Sequence, residues 1–192
     1  MILASKSPRR KEILEQLGFQ LKIESKDIEE ISEKIGIINQ IKDISCKKVL
    51  AVAEDNQEDY VVGADTLVEI NGVALGKPKN KEDAKRMLKL LSGKSHRVIT
   101  AYTLINLKKN INITNSVESI VYFKDISDEE IEWYINSGEP MDKAGAYGIQ
   151  GLGAIFVDKI DGDFFSIMGF PINHFIKTLN NLGLTIKSLD KI

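Results

Sequence analysis

Residues 60–75 read Tyr-Val-Val-Gly-Ala-Asp-Thr-Leu-Val-Glu-Ile-Asn-Gly-Val-Ala-Leu. Aliphatic residues dominate the first part of this stretch, and Asn71-Gly72 follows as the strongest short hairpin signal a sequence carries. The reading is a strand from Tyr60 to Ile70, a two-residue turn, and a return strand beginning at Val73. Asp65 is out of place in it. Asp is depleted in strands, and an ionised carboxylate is costly to bury unless it is paired or bound to a cation. A strand-end Asp bonded to backbone amides is the ordinary explanation; a carboxylate that holds a divalent ion or activates water is the functional one. Counting outward from the turn sets Lys77 opposite Thr66, one residue from Asp65, with Gly76 placed to admit a bulge.

On the N-terminal side of the hairpin, Ile2 to Ala4 reads as a short buried strand. Ser7 then caps a helix that carries Pro8 at its first position, with Ile13, Leu14 and Leu17 on one face and Gly18 as its end. A second helix covers about Ile41 to Ala53. On the C-terminal side, Ala84, Met87, Leu88 and Leu91 recur at helical spacing within a helix from Lys81 to Leu91, stopped by Ser92-Gly93. Strands follow at about Arg97 to Ile105 and Val117 to Phe123, separated by an Asn- and Lys-rich loop or hairpin tip from Asn106 to Asn115. Ser127 and Glu130 form a capping box for a helix ending near Asn136. Beyond the Gly-rich stretch from Glu139 to Gly151, two strands, Ala154 to Ile160 and Phe164 to Met168, precede a final helix opened by Pro171. Strands and helices interleave without linker or repeat, so the fold class is α/β with a mixed sheet, in a single domain over residues 1–192.

Composition narrows the function classes. The chain is 43% hydrophobic and 28% charged, with a formal net charge of −2. That balance is ordinary for globular proteins and lacks the basic excess of a nonspecific nucleic-acid binder. No segment approaches the roughly 20 apolar residues of a membrane-spanning helix, and the N-terminus lacks the charge order of a secretory signal. The single cysteine, Cys46, forms no intrachain disulfide and is assigned no catalytic role. A reducing, cytoplasmic setting is expected.

Two further stretches carry chemistry. In Ser7-Pro8-Arg9-Arg10 two arginines occupy the first turn of a helix, where the macrodipole favours anions, and a phosphate bound there resolves the conflict. The stretch from Glu139 to Gly151 combines Asp142, Lys143, Tyr147 and Gln150 with glycines that permit close backbone approach to a ligand. The Gln150 amide offers a donor beside an acceptor, which matches the O4 and N3–H edge of uracil or thymine. His96 and His174 are far apart and pair with no nucleophile, so neither is favoured as a catalytic base.

Taken in order, Ser5-Lys6-Ser7-Pro8-Arg9-Arg10, Gly63-Ala64-Asp65-Thr66, Gly76-Lys77-Pro78, Ser92-Gly93 with His96, and Asp142-Lys143-Ala144-Gly145-Ala146-Tyr147-Gly148-Ile149-Gln150-Gly151 closely resemble the Maf family of nucleotide pyrophosphatases. The resemblance implies an elongated mixed-sheet fold with two lobes around a central cleft, similar to inosine-triphosphate pyrophosphatases and often dimeric. It implies hydrolysis of a nucleoside triphosphate to the monophosphate and pyrophosphate, a housecleaning activity. Gly-Ala-Tyr-Gly-Ile-Gln-Gly, with Thr66 and Arg9, is similar to the branch acting on dTTP and UTP rather than that acting on 7-methyl-GTP.

Carried over by position, Asp65 matches the family's catalytic acid, Arg9, Thr66 and Gln150 its specificity positions, and Arg10, Lys48 and Lys77 its phosphate-binding cations. The resemblance also implies a divalent cation, magnesium or manganese, held by Asp65 and a second acid. In Ser25-Lys26-Asp27-Ile28-Glu29-Glu30 the family's acidic pair is altered, and ungapped spacing from Arg9 favours Glu29 over Glu30 as that second catalytic and metal-binding acid. The family's other association, with inhibition of septum formation, implies a competing reading as a nucleotide- or nucleic-acid-binding regulator of cell division.

Overall fold

The hairpin forms where the sequence places it. In a computed structural model, which describes residues 1–185, strand β3 (Val61–Ile70) turns through Asn71 and Gly72 into β4 (Val73–Leu75). Both turn residues have positive φ, 52° and 80°, the signature of a turn whose twist matches its strands. Ile70 pairs with Val73 and Val68 with Leu75, and there the ladder stops. Lys77 therefore lies in a bend beyond the strand and does not reach the register position opposite Thr66. Gly76 explains the departure: its carbonyl accepts the Gly145 amide at 3.0 Å instead of continuing the ladder.

Among the described residues the remaining strands are β1 (Ile2–Leu3), β2 (Lys22–Ile23), β5 (Ser95–Asn106), β6 (Ile111–Phe123) and β7 (Val157–Asp161). The helices are α1 (Pro8–Glu15), α2 (Ile37–Ala53), α3 (Lys81–Leu91), α4 (Asp128–Asn136), α5 (Phe164–Met168) and α6 (Ile172–Asn181). The seven strands form one sheet in the order β2-β1-β3-β5-β6-β7, with β4 paired to β3. β1 runs parallel to β2 and β3, while the β3–β4 and β6–β7 pairs are antiparallel, so the sheet is mixed and the fold is α/β.

The chain divides into two compact units. The first comprises Met1–Asp65, Thr100–Val117 and the described residues from Gly169 onward; the second comprises Thr66–Ile99 and Glu118–Met168. In the first, Ile2, Ala4, Val61 and Ile105 from the strands pack on Val49, Val52 and Ala53 of α2. In the second, Leu88 and Leu91 of α3, Ile131 and Tyr134 of α4, and Phe156 close a fully buried cluster with Val98 and Val121.

Several expectations are corrected. Residues 164–168 form a helix, not a strand. Asp163 accepts the Ser166 amide at 2.7 Å, and that local cap outweighs the strand preference of Phe164 and Phe165. Likewise, residues 152–156 form a 3₁₀ turn, which delays β7 to Val157. The stretch from Asn106 to Asn115 is mostly strand, with the turn confined to residues 107–110 and Asn110 at φ 54°. Leu17 falls beyond the end of α1 and is 46% exposed, whereas Ile13 and Leu14 are buried. Ser7 occupies the cap position of α1 without making the side-chain bond; its own amide donates to Ser5 Oγ at 3.2 Å.

Candidate active site

Asp65 closes the β3 segment of the first unit, and a glycine two residues earlier determines what it meets. A Cβ built on Gly63 comes within 2.7 Å of Val49 Cγ2 and 3.2 Å of the Ala4 carbonyl oxygen. Only a residue without a side chain lets α2 lie this close to the strand. Residues 63 and 65 share a strand face, so Asp65 also looks toward α2, and the residue before Val49 is Lys48. Lys48 Nζ donates to Asp65 Oδ1 at 2.7 Å. The cation that reaches this carboxylate thus comes from a helix, not from the hairpin.

Lys48 is shared. Its Nζ also lies 2.9 Å from Glu30 Oε2, so one ammonium bridges two carboxylates that are 35 positions apart in the chain. The Lys48 and Asp65 side chains are only 18% and 19% exposed, which screens their attraction less than that of a surface pair. Of the acidic pair, it is Glu30 that the structure draws to Lys48; Glu29 is exposed on the same segment.

Arg10 completes the cluster. Its Nε donates to the Gly169 carbonyl at 2.9 Å and its Nη1 to Ser5 Oγ at 3.1 Å, which fixes the guanidinium against the link before α6 and the segment that follows β1. Burial lowers the affinity of this guanidinium for its proton, Asp65 and Glu30 raise it, and neighbouring Arg9 lowers it; an arginine stays charged regardless. Ser5, 8% exposed, thereby positions Arg10 and the Ser7 amide together, a role the sequence reading missed although it quoted the residue. The first unit thus gathers Arg10 and Lys48 around Asp65 and Glu30, with Arg9 beside Arg10. Three cations against two carboxylates at a basic helix start suit a ligand rich in phosphate oxygens.

The carboxylates also bear on a metal. Among the described residues no three His, Cys, Asp or Glu side chains converge as a cage. Two carboxylates are the donor set of a hard cation that keeps waters and takes its remaining oxygens from a phosphate substrate, as magnesium does. Asp65 and Glu30 fit that description.

Thr66, Lys77 and Gln150 belong to the second unit. Thr66 is half-buried on β3, whereas Lys77 and Gln150 are exposed on loops. Gln150 sits in a stretch fastened on both sides. Tyr134 of α4 accepts the Gly148 amide at 3.0 Å and donates its hydroxyl proton to Glu139 Oε1 at 2.9 Å. Glu139 in turn accepts the amides of Leu152 at 2.9 Å and Gly153 at 3.2 Å. Desolvation pushes the Glu139 carboxyl up, but these two amides, the Tyr134 hydroxyl and Lys143 hold it below its ordinary value. Lys143 Nζ bonds the Glu139 carbonyl at 2.8 Å, and Tyr147 bonds His96 Nε2 at 2.8 Å. His174 is engaged by the Tyr102 hydroxyl at 2.9 Å, so both histidines serve buried tyrosines.

A family model described as Maf-like protein matches residues 1–182. A dTTP/UTP pyrophosphatase of Fusobacterium nucleatum is 54% identical over 192 residues, covering all of both chains. Proteins of the same name from Alkaliphilus oremlandii and Dictyoglomus thermophilum are 49% identical over 174 residues, 90% of each chain, and 43% identical over 188 residues, 97% of each chain.

Proposed function

The chain belongs to the Maf-like protein family, and from that premise we propose that it is a nucleoside-triphosphate pyrophosphatase acting on dTTP and UTP. The observation that carries this reading is the Lys48 bridge between Asp65 and Glu30, beside Arg10 at a basic helix start. Such a cluster serves no packing need, yet it supplies both a proton acceptor and the counter-charges of a triphosphate.

The reaction adds water across the α–β phosphoanhydride, leaving a nucleoside monophosphate and pyrophosphate. The Asp65 carboxylate accepts the proton of the attacking water, and the second acid of the Glu29-Glu30 pair holds that water in line. The Lys48 ion pair supports Glu30 for this role. Arg9, Arg10, Lys48 and Lys77 spread the charge that collects on the departing pyrophosphate, a task for preorganised cations rather than a covalent nucleophile. A divalent cation, magnesium or manganese, held by Asp65 and the second acid, supplies Lewis-acid polarisation when bound. Thr66 and Gln150, with Arg9, select the base. In this reading the protein is a cytoplasmic housecleaning enzyme and a homodimer; among the described residues no helix is long and apolar enough to cross a membrane.

The decisive experiment incubates the protein with dTTP, UTP, CTP, GTP and 7-methyl-GTP plus magnesium and separates pyrophosphate from orthophosphate. Pyrophosphate from dTTP and UTP, lost in Asp65→Asn, is expected. Preference for 7-methyl-GTP overturns the pyrimidine assignment. Nucleotide binding without turnover returns the regulator of cell division.

A further inference from the structure

A glutamine is an ambiguous reader of pyrimidines. Its amide presents donor and acceptor in the order that matches the O4 and N3–H edge of uracil or thymine, yet turned over it matches the N3 and amino edge of cytosine equally well. An exposed Gln150 on a loose loop would therefore discriminate poorly. The loop is not loose. Two side chains fasten the backbone on both sides of Gln150: the Tyr134 hydroxyl takes the Gly148 amide, and the Glu139 carboxylate takes the amides of Leu152 and Gly153. The two fasteners are themselves joined by the 2.9 Å bond from Tyr134 Oη to Glu139 Oε1.

Sequence at the adjoining glycines follows from this arrangement. A Cβ on Gly151 would stand 2.4 Å from Glu139 Oε2, and one on Gly153 would stand 2.7 Å from Tyr134 Oη. A side chain at 151 would have to displace the Glu139 carboxylate, and one at 153 would press on the Tyr134 phenol and the Gly148 backbone. Ring packing of Tyr134 on Phe156, at 5.1 Å between centroids, seats the phenol independently of its hydroxyl.

We propose that Tyr134 and Glu139 are positioning residues for base selection, a bracket that holds the Gln150 backbone in one place so that its side-chain amide reaches the O4 and N3–H edge of thymine and uracil from a fixed point. The proposal rests on the base-selecting role assigned above to Gln150. Neither bracket residue touches the nucleotide; they act through the loop.

The test uses the full chain and four variants, Tyr134→Phe, Gly151→Ala, Gln150→Ala and the double Tyr134→Phe with Gln150→Ala. Pyrophosphate release from dTTP and dCTP gives kcat and KM for each, and thermal unfolding checks the fold. Tyr134→Phe keeps the ring and removes the fastener. Gly151 lies at φ −115° and ψ −149°, so Gly151→Ala meets no positive-φ penalty, acts chiefly by pushing the Glu139 carboxylate aside, and carries the test even where Tyr134→Phe lowers stability. Each is expected to narrow the dTTP:dCTP ratio of kcat/KM about tenfold, through KM more than kcat, the value of roughly one hydrogen bond. In the Gln150→Ala background the Tyr134→Phe change should add almost nothing, as required of a residue that acts through Gln150. A ratio unchanged in both Tyr134→Phe and Gly151→Ala but collapsed in Gln150→Ala overturns the bracket and leaves Gln150 as the reader. A ratio unchanged in Gln150→Ala removes the reader and the bracket with it.

Discussion

The carboxylate cluster of the first unit and the Tyr134–Glu139 bracket of the second both draw polar groups inward, but they satisfy them differently. Glu139 spends its oxygens on two backbone amides and a phenol, all within 20 residues of chain and all fixed by the fold. Asp65 and Glu30 share one side-chain ammonium, that of Lys48, with the Arg10 charge beside them. A carboxylate answered by main-chain donors belongs to the architecture, because removing it orphans the backbone. One answered by side-chain cations leaves no backbone group orphaned when a ligand takes its place, and that marks a site of chemistry.

The sharpest way to break this contrast is Lys48→Met. If the first cluster exists for chemistry, pyrophosphate release should fall by about 10²–10³-fold, as when one preorganised stabiliser of developing charge is lost, while the melting temperature moves by only a few degrees. Unfolding without a specific rate loss would place Lys48 with the architecture instead.

Buried packing positions of the second unit should behave the opposite way, losing stability while turnover stays largely intact. His96 is 2% exposed, and burial lowers its pKa from the ordinary 6.5 to about 4. Above pH 6.5 both folded and unfolded states are neutral and the stability is fully present. As pH falls from 6.5 toward 4 the unfolded chain takes up a proton that the folded one refuses, and about 3 kcal/mol is lost. Urea unfolding across that window should show the slope, and His96→Gln should flatten it.

Gly145→Ala comes next. Gly145 has a φ of 68°, and a Cβ there would approach Val68 Cγ2 to 2.8 Å, so a cost of about 2 kcal/mol is expected in the same urea assay. The smallest change is Ser127→Ala. It removes one half of a capping box in which Ser127 Oγ accepts the Glu130 amide and Glu130 Oε2 accepts the Ser127 amide, for about 1 kcal/mol with turnover unchanged.

Elements with strong local signals were legible in the sequence. The Asn71-Gly72 turn, the apolar spacing of the helix Lys81–Leu91 and the Ser127 capping box rest on residues a few positions apart. β2 was missed because two exposed residues, Lys22 and Ile23, carry no periodicity; their strand exists only because β1 pairs with them. Residues 164–168 misled because a strand-prone composition outvoted a single capping Asp163.

At the site, Asp65 stood out by itself as a charge in an apolar run. Lys48 was visible only through family resemblance, since helical spacing cannot say which lysine of Lys47-Lys48 turns toward a strand. Spacing from Arg9 favoured Glu29, whereas Lys48 pairs with Glu30; in an irregular segment spacing does not say which of two adjacent side chains turns toward the site. The Tyr134–Glu139 bracket gave no motif at all. Its trace in the sequence is the pair of glycines, 151 and 153, that keep clear of it.

The chain passes between the two units four times, and three of those passages fall inside β3, β5 and β6, the first of them between Asp65 and Thr66. Neither unit is a contiguous stretch of gene. No single nick or truncation can release one of them whole, and neither can be transplanted as a cassette without its strands being severed. Variation in base preference therefore has to be written into an intact chain by point changes, never by exchange of a module.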